Sequence, residues 1–206
     1  MNTVQMGILM IFHPMEFLEI IKRERGRFRL MPVICLILLT AACNYTYIFY
    51  SNFALSTKQP QEANVFLEIA IVAIPLLTWV VASYATTAVI TGECLFTELL
   101  TGSSYCLIPL IITTPALGLL SQILTSEESG IYKGLQSIVF IWTVILLFLT
   151  LKRLNDYSFF KTLGVAVLSL IVMVVIWAVL ILIFALFSQL VFYIRDLFIE
   201  IRLKTA

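Results

Sequence analysis

The sequence predicts an all-α integral membrane protein: a bundle of about five transmembrane helices, with an N-terminal interfacial amphipathic helix and a long C-terminal helix. Three observations carry that expectation. Apolar residues make up 61% of the 206 residues, charged residues only 12%, and the mean hydropathy is +1.05. A soluble domain holds about a quarter charged residues, so a water-soluble fold of this length could not hide so much apolar surface. Five apolar runs approach or exceed the ~17 to 25 residues that cross hydrocarbon. The segments between them are too short to fold as domains. The chain divides accordingly into an N-terminal segment (1–29), a five-span membrane domain (30–192) and a C-terminal helix extension (193–206).

The opening residues, up to His13 and Pro14, hold an apolar run with no basic stretch before it and no small-residue cleavage site after it. They do not read as a removable signal peptide. From Pro14 to about Arg29, Met15, Phe17, Leu18, Ile20 and Ile21 alternate with Glu16, Glu19, Lys22, Arg23, Glu24 and Arg25. Phe17, Ile20, Ile21 and Glu24 follow i, i+3, i+4, i+7, so the apolar stripe lasts two turns. Proline suits the first helical turn, where its missing N–H would be unpaired anyway. A helix ending in Lys22, Arg23, Arg25, Arg27 and Arg29 fits the plane of a membrane interface; the alternative is a solvated juxtamembrane tail.

The expected spans cover residues 30–53, 65–91, 104–124, 134–151 and 163–192. The third is interrupted by Pro109, Pro115 and Gly118, and the fourth is short. Four spans with a re-entrant third segment is the structural alternative, since broken backbone is tolerated where neighbours satisfy it. Between the spans lie a polar stretch with Lys58, Pro60 and Glu62, and a half-apolar stretch, 92–102, with Glu93 and Glu98. The next two hold Glu127, Glu128 and Gly130, then Lys152, Arg153, Asn155, Asp156 and Lys161. Basic residues orient the whole. With the N-terminus inside, the inner side holds Lys22, Arg23, Arg25, Arg27, Arg29, Lys152, Arg153 and Lys161. The outer side holds Lys58, Lys133, Arg195, Arg202 and Lys204. The bias places the N-terminus in the cytoplasm and the C-terminus outside it. Leu190, Ile194, Leu197 and Ile201 keep a helical spacing beyond the last span. A helix of ~60 Å is twice the hydrocarbon thickness, so its end either docks a partner or lies on headgroups.

The chemistry-bearing residue types are sparse. Ionisable residues inside spans mark transport sites, and the middles of the expected spans hold none; Glu68 stands near the beginning of the second and is expected to reach the interface. Asn44, Thr46, Thr78, Ser83, Thr86, Thr87, Thr113, Thr114, Thr143 and Ser169 are polar residues of the kind that bond across helices. His13 is the only histidine, and Cys35, Cys43, Cys94 and Cys106 form no CxxC pair. No metal-ligand set, phosphate loop or HExxH occurs. No catalytic, cofactor-binding or metal-ligating residue is expected, no cofactor, and no nucleic-acid partner. Asn44-Tyr45-Thr46 matches a glycosylation pattern but lies within a membrane run.

An ordered set of short motifs resembles bacterial members of the Yip family of Ypt/Rab-interacting-type membrane proteins. It begins with His13-Pro14, Phe17 and the Lys22–Arg29 basic stretch. It continues through Trp79, Ala82 to Thr87, Gly92 with Phe96, and Ser104-Tyr105-Cys106-Leu107-Ile108-Pro109, and ends with Trp142 and Asp156-Tyr157-Ser158. The resemblance runs from about Phe12 to Ile201. It implies a bundle of about five spans with a cytosolic N-terminus. Eukaryotic relatives associate with small GTPases, but this chain lacks their long cytosolic N-terminal region and their Asp-Leu-Tyr-Gly-Pro-like motif, so GTPase binding is not carried over. Its short form is similar to bacterial members found beside ATP-driven importers of sugars or other solutes. The resemblance thus implies a non-enzymatic accessory subunit or scaffold in a bacterial plasma membrane, in contact with lipid and with other integral membrane proteins such as ABC-type permease subunits. The rival is a solute path through the bundle itself, built from the Pro109–Gly118 break and threonines such as Thr86 and Thr114.

Overall fold

The structure, a computed structural model, describes residues 3–23, 30–51 and 63–205. Among these every regular element is helical: α1 (Thr3–Phe12), α2 (Pro14–Arg23), α3 (Leu30–Tyr50), α4 (Val65–Val89), α5 (Phe96–Tyr105), α6 (Ile108–Ser121), α7 (Ser129–Leu154) and α8 (Phe159–Thr205). Arg25, Arg27 and Arg29, the loop residues Lys58, Pro60 and Glu62, and the side chains of Leu197, Ile201, Arg202 and Lys204 lie outside what is described. Five segments are long and apolar enough to cross a membrane: Leu30–Tyr50, Val65–Val89, Phe96–Ser121, Ser129–Leu154 and Phe159–Arg195. The chain is a multi-pass membrane protein.

Several boundaries differ from the sequence expectation, each for a local reason. The half-apolar stretch 92–102, expected as a connection along the interface, is a connection only to Leu95 and helical from Phe96, because the chain reverses within six residues. Thr91 adopts a left-handed φ of 59°, and the Gly92 N–H donates to the Thr87 carbonyl at 2.7 Å. Glu98 then starts α5 by accepting from the Leu95 N–H at 3.0 Å. The third span therefore begins at Phe96 and runs 26 residues, which brings Glu98 inside it near one end. Pro109 divides it into α5 and α6, since its ring excludes the carbonyl a turn earlier; Cys106 and Leu107 keep right-handed helical backbone across the break. The fourth span is not short. It extends through Tyr132 and Lys133 at its start and Lys152 and Arg153 at its end, 26 residues in all. Glu68 stands in the first turn of α4 and is buried against the bundle, where the helix dipole favours a carboxylate.

Most span hydroxyls do not glue helix to helix, either. Thr40, Thr86, Thr113, Thr143, Thr150 and Ser169 each donate to the carbonyl four residues earlier, at 2.6–3.0 Å. A hydroxyl surrounded by hydrocarbon takes the acceptor nearest in its own helix. The side-chain bonds that cross between helices are fewer. Trp177 donates to Thr78 Oγ1 at 3.3 Å, Tyr47 and Tyr132 share a hydroxyl contact at 2.5 Å, and Gln122 donates to the Tyr50 carbonyl at 3.0 Å.

The packed centre lies where α2, α5 and α7 meet. Phe17 and Leu18 are fully buried there with Leu99, Tyr105, Leu151 and Leu154, and the Phe17 and Tyr105 rings stand 4.8 Å apart. Met6 and Met10 of α1 are buried in the same cluster. Gly102 permits the close approach: a Cβ on it would stand 2.7 Å from Thr150 Cγ2. Overpacking of this kind costs about 1–3 kcal/mol. Gly102→Leu is thus expected to lower the detergent-solubilised thermal midpoint clearly. Gly134→Ala, with nothing within 4 Å of the added methyl, is expected to leave it unchanged or raise it by up to about 1 kcal/mol of helix propensity. Equal effects from the two would contradict this packing.

Candidate functional site: the latch at the basic end

One end of the bundle collects the α4–α5 turn, the α7–α8 turn and the last turn of α2. Sequence alone leaves these as three separate loops or tails. In the structure Asn155 joins the first two. It ends α7, donates from Nδ2 to the Leu151 carbonyl at 3.0 Å, and accepts on Oδ1 from the Cys94 N–H at 3.4 Å. Gly92 makes room for that amide, because a Cβ there would meet Asn155 Oδ1 at 2.6 Å and Thr87 Cβ at 2.7 Å. Asp156 follows in a left-handed conformation, φ 51°, which Asp tolerates better than most residues. Its carboxylate pairs with Lys22 of α2, and one turn away Glu19 pairs with Arg153. Both pairs are partly exposed, so each contributes ~1 kcal/mol or less. They set the register of α2; the buried Phe17 and Leu18 hold it.

Tyr157 closes the latch. The residue is buried, yet its hydroxyl has no hydrogen-bond partner among the described residues, and Lys161 Nζ lies 4.1 Å from the centre of its ring, a cation–π distance. Burial pushes the Tyr157 phenol above its ordinary range, and the nearby Cys94 adds to the shift. Phe96, at the start of α5, packs edge-on to Tyr84 at 5.5 Å. The far half of the bundle carries a different feature. An apolar crevice of about 160 Å³ opens between α3 and α6, lined by Thr46, Tyr47, Tyr50, Pro115, Gly118 and Leu119.

This arrangement holds helices together. Among the described residues no three His, Cys, Asp or Glu side chains could share a metal. His13 is exposed in the single-residue break between α1 and α2. None of the four cysteines is in a disulfide, and Cys94 and Cys106 are buried. A family model described as the Yip1 domain matches residues 8–181. The chain belongs to the Yip1-domain family. No curated protein and no solved structure matches it.

In this Yip1-domain protein, several positions that carried the resemblance lie at the packed centre and the latch. Phe17 meets Tyr105; Gly92 and Asp156-Tyr157 meet through Asn155; Cys106 contacts Thr150 at 3.4 Å. Trp142 does not join them, being exposed on α7. Sequence reasoning missed Asn155 as the connecting residue. Its only signal was an Asn-Asp pair just past a long apolar run, a helix stop.

Two outcomes follow. Gly92→Ala is expected to destabilise by about 1–3 kcal/mol, read as a fall in the thermal midpoint. Tyr157→Phe is expected to be neutral or stabilising by up to about 1 kcal/mol at pH 7, because it removes an unsatisfied buried hydroxyl. The pH dependence has a definite sign. The folded state prefers neutral Tyr157, so its contribution is full below the ordinary phenol value of about 10 and is lost as pH rises through the higher folded value. Melting curves between pH 8 and 11 should show that alkaline loss in the parent and less of it in Tyr157→Phe; an identical loss in both would contradict the assignment.

Proposed function

We propose that this Yip1-domain protein is a non-enzymatic scaffold or accessory subunit that packs against other integral membrane proteins. The observation that carries the reading is the state of α8. Thr162, Val165 and Ser169 are buried near its start and Trp177 ties it to α4. Beyond Trp177, residues up to Ile194 are exposed on every side except at Ser188, with Phe184 at 72%. A helix apolar all round is normally enclosed, and neighbouring membrane proteins enclose it as readily as lipid does. The membrane is a bacterial plasma membrane, with the N-terminus cytoplasmic and the C-terminus outside. The partner class is a multi-span permease, of which an ATP-driven solute importer is the leading example. The solute-path rival gains no support from the geometry: Thr78, Thr86 and Thr113 turn their hydroxyls onto carbonyls of their own helices.

Affinity purification from native membranes in a mild detergent tests the reading. A second integral membrane protein should co-purify at fixed stoichiometry, and solute flux in liposomes holding this chain alone should match protein-free liposomes. Absence of any stoichiometric partner under every gentle condition, or flux abolished by Thr86→Val, would contradict it.

A further inference from the structure

We infer that an anionic phospholipid binds where α7 turns into α8, its phosphate held by Lys152 and Lys161 and an acyl chain lying against Phe159 and Phe160.

The site starts from charges that the latch leaves over. Glu19 and Asp156, the carboxylates at its edge, are taken by Arg153 and Lys22. Lys152, in the last turn of α7, and Lys161, in the first turn of α8, have no acidic partner among the described residues. Lys161 is exposed and Lys152 partly so. Tyr157 keeps the Lys161 ammonium beside the turn, 4.1 Å from the centre of its ring, and that contact leaves the positive charge in place.

Directly beside these cations the surface is apolar. The rings of Phe148 and Phe159 stand 5.6 Å apart, and those of Phe159 and Phe160 5.8 Å apart. One strip of three rings therefore crosses from α7 to α8. Phe148 lies one turn before Lys152 on the same helix face, and Phe160 immediately precedes Lys161. Phe160 is 83% exposed, and Phe159 and Leu163 are exposed with it.

Cations at the edge of an exposed apolar strip fit one class of ligand. A soluble phosphate would reach the lysines and leave the rings uncovered. A zwitterionic lipid would cover the rings but bring a cation of its own to the lysines. An anionic phospholipid satisfies both. Lysines at helix ends lay their stems along apolar surface and keep their ammonium groups at headgroup level. Each such cation strengthens attraction to anionic lipid by about fivefold.

The test uses the full chain in a mild detergent, titrated with phosphatidylglycerol or phosphatidylcholine and followed by native mass spectrometry. One phosphatidylglycerol should bind ahead of phosphatidylcholine and raise the thermal midpoint. Lys152→Gln with Lys161→Gln should weaken that binding by about twenty- to thirtyfold and abolish the rise. Lys152→Arg with Lys161→Arg should keep both, and so should Lys133→Gln, which removes a cation from the other end of α7. Glycerol phosphate, a phosphate headgroup without acyl chains, should not compete at equal concentration. Equal binding of the two lipids, or binding untouched by the double glutamine variant, would overturn the inference. Competition by glycerol phosphate would overturn the lipid assignment, because the rings would then contribute nothing.

Discussion

Hydrocarbon offers a peptide group nothing to bond with, and that single constraint orders the rest of this molecule. Each crossing segment must satisfy its own N–H and C=O groups, so every regular element of the described chain is a helix. The same constraint acts on side chains. Threonine and serine hydroxyls fold back on their own helices, and Glu98 caps the turn that opens the third span. Helix contacts are then made mainly by shape. Where helices come closest a side chain is missing, as at Gly102 against Thr150 and Gly92 against Asn155.

The latch follows from where the constraint relaxes. At the ends of spans, water and headgroups return, tight turns become possible, and left-handed residues such as Thr91 and Asp156 can reverse the chain. Polar residues reappear there and bond across the gaps. Asn155 links two turns, and α2 adds a charged edge through Glu19 and Lys22. The family-like motifs thus mark places where close packing and reversal coincide.

Much of the fold was legible in the sequence, because composition and run length report directly on the solvent. The existence of five spans and the long last helix came from that signal. Boundaries were less legible, since hydropathy falls at span ends while the helix goes on; Lys152 and Arg153 read as loop yet continue α7. The start of the third span was missed because Glu93 and Glu98 made 92–102 read as a connection along the interface, whereas Glu98 caps a helix. The latch was nearly invisible. Its parts, Lys22, Gly92 and Asn155, are separated by more than sixty residues at each step, and no local pattern reports a long-range amide bond.

The proposed topology stands on five crossings, one for each helix long and apolar enough to span, an odd number that would put the two ends of the chain on opposite sides of the membrane. Cysteines introduced one at a time at Asn2 and Lys204, in a chain with Cys35 and Cys43 replaced by serine and the buried Cys94 and Cys106 kept as the background, can be labelled with a membrane-impermeant maleimide in intact cells and again after lysis. The account predicts that position 204 labels in intact cells and position 2 only after lysis. Both positions reacting from the same side would contradict it.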